Sequence, residues 1–341
     1  MSPARRFLLF AATVLMAAGL TLPVAHASSH TDFECTSDSS RPAALPPASG
    51  AVGLYSLPAR RPKALIAFAH GYQQTAAGAW ATHLEQAAQH GYAAFAPDYP
   101  GWQVNEGAAE LISASRFFLS QCKTIHEVVM FGVSMGGNSS GIAVAAGARK
   151  PHGGPLFDSW IDVEGVSNLA EEYTLATAAA GASTTAASAV HDINAECGGT
   201  PDQNPSCYQE LTLTSRPQDI QASGVRSVVM IHAVEDGEVP SNQTREMSTE
   251  LRALGVTTDV FNVLRRNAGE TQGETTVTAD VSASLAAQDP FAGHTWEGTS
   301  DTAVMGTSLT LLWDLLNGSY TPATLDHVVD NQSLGIAPPP S

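Results

Sequence analysis

Basic side chains are scarce. The 341-residue chain holds 16 Lys and Arg against 33 Asp and Glu, a formal net charge of −17. Such a surface is repelled by polyanions, which excludes nucleic acid and anionic membrane surfaces as expected partners. Long apolar runs are also missing beyond the N-terminus, so no later segment is expected to span or stably anchor in a bilayer. Cysteine is limited to Cys35, Cys122, Cys197 and Cys207. No cysteine or histidine spacing has the pattern of a metal site, and neither a metal nor a cofactor is expected. There is no internal repeat.

What is present begins with an export signal. Arg5 and Arg6 supply a charged start, residues 7–20 an apolar core, and Ala25-His26-Ala27 a small-x-small cleavage site. Residues 1–27 are thus expected to be removed, leaving a secreted or periplasmic protein with two fewer positive charges. An uncleaved N-terminal anchor is the competing reading. An even cysteine count in an oxidising compartment predicts two disulfides. Three pairings are possible. Cys197–Cys207, close together in a Gly/Pro/Asn-rich loop, and Cys35–Cys122, tying the N-terminus to the body, are favoured.

The order of elements predicts an α/β fold. Residues 28–50 read as an extended leader held mainly by Cys35. Residues 51–57 form an early antiparallel strand. Apolar runs at 64–69 and 92–96 have the pattern of strands buried on both faces; further strands are expected at 128–133, 160–166 and 225–234, with 257–264 as the last. Helices are expected at 75–89, 106–122, 241–254 and 300–317, with Gly255 and Gly318 as stops. Strand and helix alternate, which implies a mostly parallel sheet with helices on both faces. Residues 167–220 break the rhythm. An Ala/Thr/Ser-rich helical segment at 169–191 precedes the cysteine loop, and the insertion reads as a cap over the strand ends. Residues 265–293 form an unusually long polar connection, and 319–341 a tail. One domain over 51–318 is expected.

The most informative stretch is VVMFGVSMGGNSSG, residues 128–141. A β-branched run passes through Gly132-Val133-Ser134-Met135-Gly136 into small residues, in the order strand, tight turn, helix. Glycines two places either side of Ser134 allow the strained turn that exposes a nucleophile. The new helix points its N-terminal amides toward whatever lies over Ser134.

Two further segments follow in chain order. Glu235-Asp236-Gly237-Glu238-Val239-Pro240 stands just beyond the 225–234 strand. Ala292-Gly293-His294-Thr295-Trp296 lies between the 257–264 strand and the closing helix. With these in place, the sequence resembles the α/β-hydrolase family over roughly residues 60–318. The resemblance implies a nucleophile–acid–histidine triad at successive strand ends: Ser134, Asp236 and His294. Asp236 is similar to the acid of a D-x-x-V-P turn. Glu235, Asp162 and Glu164 remain competitors for that role. The implied oxyanion donors are the Met135 amide and, from His70-Gly71-Tyr72, the Tyr72 amide. The Gly-Tyr turn and Ser-Met nucleophile are similar to secreted polyester hydrolases and cutinase-like bacterial lipases, where the Tyr72 ring would wall an acyl pocket; simple packing is the alternative. His70 and His232 read as structural.

The resemblance implies a secreted serine esterase or lipase acting on small-molecule, lipid or polyester esters, without a cofactor. A serine peptidase of the prolyl-oligopeptidase type shares the triad. Its expected N-terminal domain is missing, and Glu171 and Glu172 read as a solvated helix face. A non-catalytic binding member is the third possibility. The four Asn-x-Ser/Thr triplets, at Asn138, Asn242, Asn317 and Asn331, are not expected to carry a functional glycan.

Overall fold

A computed structural model describes residues 33–234, 236–263, 294 and 303–329. The export signal expected at 1–27, Glu235, loop 265–293 and the last residues of the tail lie outside the described residues. Nine strands form one sheet in the order β1-β2-β4-β3-β5-β6-β7-β8-β9. They are β1 (Ala43–Ala44), β2 (Gly53–Ser56), β3 (Ala64–Ala69), β4 (Ala93–Pro97), β5 (Glu127–Val133), β6 (Ser159–Val163), β7 (Ser227–Ala233), β8 (Thr257–Val263) and β9 (Asp326–Val329). The first two pairings, β1–β2 and β2–β4, are antiparallel. All pairings from β4 through β9 are parallel.

The central strands are apolar without alternation because both faces are covered. Every residue of β3, β4 and β7 is buried, as a parallel sheet between two helical layers requires. On one face Ile66, Phe68, Phe131, Ile161 and Ile231 share a core with Trp80, Leu84, Leu309 and Trp313. These last four belong to a π-helical turn at Ala76–Trp80 and to α1 (Ala81–Gln89) and α9 (Ala303–Asn317). The other face carries α2 (Val104–Gln121), α3 (Met135–Ala145), α7 (Pro217–Ser223) and α8 (Ser241–Ala253), each packed on the next.

Between β6 and α7 the chain forms α4 (Leu169–Ala179), α5 (Thr184–Cys197) and α6 (Pro205–Leu211). The single helical segment expected at 169–191 is thus two helices. Ser183 begins the second, its side chain accepting from the Ala186 amide. Cys197 at the end of α5 is joined to Cys207 in α6, and Cys35 to Cys122 at the end of α2. Both bridges are the favoured pairings, with Cα–Cα distances of 5.4 and 5.5 Å respectively.

Two expectations change. The leader is not merely extended: it contains β1 and a 3₁₀ turn at Pro47–Ser49, where the Ser49 carbonyl accepts from the Ser113 hydroxyl at 2.7 Å. Nor is residues 257–264 the last strand, since β9 pairs beside it. Asp259, 1 % exposed, anchors the return. Its carboxylate accepts from the amides of Ala323 at 2.8 Å and Leu325 at 3.0 Å, and from the Tyr320 hydroxyl. Replacing Asp259 by Ala strands three donors. We expect a loss of about 2–4 kcal/mol in urea unfolding, with early hydrogen exchange in β9.

Candidate active site

The turn after β5 is built by close approach. A Cβ on Gly132 would lie 2.3 Å from the Gly136 carbonyl oxygen and 2.4 Å from Ser140 Oγ. One on Gly136 would lie 2.3 Å from the Ala69 oxygen and 2.7 Å from that of His70. Backbone atoms cannot yield as a side chain can, so both positions demand glycine. Between them Ser134 adopts φ 57° and ψ −125°, a region that costs a non-glycine residue roughly 1–3 kcal/mol. Hydrogen bonds hold it there. The Ser134 amide donates to Val163 at 2.9 Å, and its carbonyl accepts from Gly137 at 2.8 Å and Val166 at 3.3 Å. Met135 is the first residue of α3, where a helix leaves its amides without intrahelical partners.

The neighbouring strand ends are tied to this turn. The Glu164 amide, just past β6, donates to Ile231 in β7, and the Val234 amide donates to Val263 in β8. Ser134, Glu164 and Asp236 thus follow three adjacent parallel strands at one edge of the sheet. Asp236 is fully buried. Its Oδ1 accepts from the amides of Glu238 at 2.9 Å and Val239 at 3.0 Å. Its Oδ2 lies 2.8 Å from His294 Nδ1. That bond fixes the Nδ1–H tautomer and makes Nε2 the basic nitrogen of the neutral ring. Glu164, itself at φ 50°, accepts from the Ala233 amide at 3.1 Å and brings Oε2 to 3.6 Å from His294 Nδ1. A second carboxylate therefore faces the imidazole from β6.

The structure joins the predicted Asp236 and His294 directly and sets Ser134 at the same sheet edge. Tyr72 lies shortly after β3. Its hydroxyl donates to Asp192 in α5 at 2.7 Å, and its ring lies 5.4 Å from Trp102. Of the competing acids, Asp162 is buried with Oδ1 lacking a partner, set against Gly137 and Gly165; burial raises its pKa to about 7. His70 is buried, contacts the Gly71 carbonyl and stacks on Tyr99. His232 is equally enclosed, with Thr244 and Val239 each 2.8 Å from a ring nitrogen.

Glu164, Asp236 and His294 also present three potential metal-ligand atoms within 4.8 Å of one another. The 2.8 Å hydrogen bond to Asp236 occupies the ring nitrogen that such an ion would need.

Two acids escaped the sequence. Glu172 is not on a solvated face: it is 6 % exposed, on the buried stripe of α4 with Leu169 and Ala176. The i−3 and i+4 spacing to those two apolar residues was the available signal. Glu238 places Oε2 4.0 Å from His294 Nε2. Glu171, by contrast, accepts from the Asn242 side chain.

Burial pulls the His294 pKa down, but Asp236, Glu238 and Glu164 together outweigh it and hold the value well above the ordinary 6.5. Burial, then Glu238, pushes Glu172 well up. Burial, with Asp236, raises Glu238.

No family model matches the chain, and no curated protein does. Among solved structures, an acylaminoacyl peptidase from Pyrococcus horikoshii aligns with 62 % of this chain and 34 % of its own, at 17 % identity and a TM-score of 0.47. This chain thus spans about a third of that protein's length. A truncated carbohydrate esterase from gut microbiota aligns with 67 % of this chain and 90 % of its own, at 15 % identity and a TM-score of 0.49. Esterase B of Lactobacillus rhamnosis covers 62 % and 70 %, at 14 % identity and a TM-score of 0.47. The fold is legible without them. A serine on a strand-to-helix turn, at the carboxyl edge of a largely parallel sheet wrapped on both faces, is the α/β-hydrolase arrangement. This chain has the α/β-hydrolase fold.

The electrostatics give a prediction. In an NMR titration the His294 imidazole should lose its proton well above pH 6.5. Glu238→Gln removes one nearby negative charge and should move the midpoint down. Its charged form contributes stability that is full below about 6.5, the unfolded value, and lost as pH rises through the folded pKa. A midpoint at or below 6.5 in the parent would refute this account.

Proposed function

We propose that this protein is a secreted serine hydrolase that cleaves carboxylic esters through Ser134, His294 and Asp236. The observation that carries the reading is the buried Asp236–His294 hydrogen bond of 2.8 Å at the sheet edge that holds the strained Ser134 turn. Ser134 Oγ attacks the ester carbonyl as His294 Nε2 takes its proton. The amides of Met135 and Tyr72 receive the oxyanion. His294 returns the proton to the leaving alcohol, and water resolves the acyl-enzyme by the reverse sequence. Asp236 keeps the imidazole in one tautomer and steadies its cation.

Because His294 stays charged to higher pH than an ordinary imidazole, its use as a base implies a kcat/KM that climbs through the neutral-to-alkaline range. The insertion α4–α6 acts as a cap. Tyr72, Trp102, Leu175, Ala176 and Ala186 line a cavity there, with Glu172 and Glu238 in the same wall, the mix of apolar surface and a few polar groups that ligand sites use. Export is supported by the residue pattern at 1–27 and by two disulfides; no described helix is long and apolar enough to cross a membrane.

The test is hydrolysis of 4-nitrophenyl esters from acetyl to palmitoyl. Ser134→Ala and His294→Ala should fall to background, and Asp236→Asn by on the order of 10³–10⁴ in kcat. Turnover that survives in Ser134→Ala would sink the mechanism. Cleavage of peptide anilides without ester turnover would reassign the chain as a peptidase.

Reduction of the Cys197–Cys207 bridge, which closes a short loop in the cap, should cost at most about 2–3 kcal/mol. It should alter acyl-chain preference more than thermal stability. An unchanged chain-length profile after selective reduction would show that the bridge does not shape the site.

A further inference from the structure

The cavity beside the triad is acidic in a way that ester hydrolysis does not require. Glu172 enters from α4 and Glu238 from the turn after β7, and both line the same space with Tyr72 and Trp102. Glu172 is buried, and its Oε2 has no hydrogen-bond partner. A buried carboxyl oxygen left unmatched is costly, on the order of 1–3 kcal/mol or more if charged. No lysine or arginine among the described residues forms an ion pair with Glu172 or Glu238, although other acids pair with Lys150, Arg216, Arg226 and Arg252. Among the described residues the cationic neighbour is His294, 4.0 Å from Glu238, and it already faces Asp236 and Glu164.

Such a site is short of positive charge. A protonated amine supplies it, with up to three donors for the two carboxyl groups. The Tyr72 and Trp102 rings line the same space, and aromatic surface is compatible with a cation. An apolar group would leave Glu172 unmatched, an anionic one would be repelled by both acids, and a neutral donor would match one oxygen without supplying charge. The raised pKa of Glu172 fits an empty site in which a proton stands in for the cation.

We infer that Glu172 and Glu238 form a subsite for an ammonium group, so that the preferred substrates are esters or amides whose acyl part carries a protonated amine a few bonds from the carbonyl. The inference rests on the proposed hydrolase reading. Because Glu238 lies within 4.0 Å of His294 Nε2, an amine so placed reaches the acids while the carbonyl faces Ser134.

The test compares 4-nitrophenyl β-alanate with 4-nitrophenyl butyrate at pH 7.5, a pair that differs by ammonium for methyl. The parent should prefer the β-alanyl ester at least tenfold in kcat/KM. Glu172→Gln and Glu238→Gln should each cut that preference severalfold. Reading the ratio within each variant cancels any change in His294 itself. If Glu172→Gln fails to fold, the partly exposed Glu238 still tests the pair. A parent ratio near one, with the butyrate ester cleaved, would overturn the inference. So would a high ratio that neither variant lowers.

Absence of turnover on both esters would fail the hydrolase reading instead. Calorimetric titration with propylammonium against 1-propanol then judges the subsite alone. Binding of the cation that is lost in Glu172→Gln upholds it, and no binding to the parent overturns it.

Discussion

The contact between Gly136 and the carbonyls of Ala69 and His70 is the constraint on which the rest depends. It presses the first turn of α3 onto the end of β3 so closely that only hydrogen fits. Ser134 is therefore driven into a left-handed conformation and out of the plane of the strand. The adjacent ends of β5, β6, β7 and β8 then lock in sequence through the amides of Ser134, Glu164 and Val234. Strain at one serine is offset by the hydrogen-bonded strand ends, and from these ends Glu164, Asp236 and Glu238 face His294.

The electrostatics follow from how few cations this chain has. The chain has 16 basic residues in 341; among the described residues no lysine or arginine pairs with the carboxylates around His294, and the imidazole becomes their shared counterion. Burial alone would discharge the ring, but the acids prevail. The same arrangement leaves Glu172 with an unmatched oxygen. Acidity that gives the outer surface its charge becomes, inside the cavity, a selective field for one kind of ligand.

Much of the fold was legible because parallel strands buried on both faces read as unbroken apolar runs. ALIAFA and the 128–133 run each match an observed strand. The turn at Ser134 was legible because close backbone approach leaves glycine no substitute. What could not be read depends on contacts distant in sequence. β9 is four residues of mixed polarity, held by Asp259 from the neighbouring strand. Glu164 was a candidate for the acid, but its positive φ of 50° and its place beside Asp236 rather than instead of it are announced by no local pattern. Glu172 was misjudged through its charge, although its position on the apolar stripe of α4 already implied burial.

The edge strand β9 bears on how the imidazole is delivered. His294 belongs to the connection that leaves β8 and returns, through α9, to pair β9 with that same β8. Both ends of this connection are fastened to one strand. Pairing β9 beside β8 fixes where the chain re-enters the sheet after α9, and the entropy of closing such a loop grows only slowly with its length. The far edge strand thus brackets, in sequence, the histidine that meets Asp236 from beyond β8.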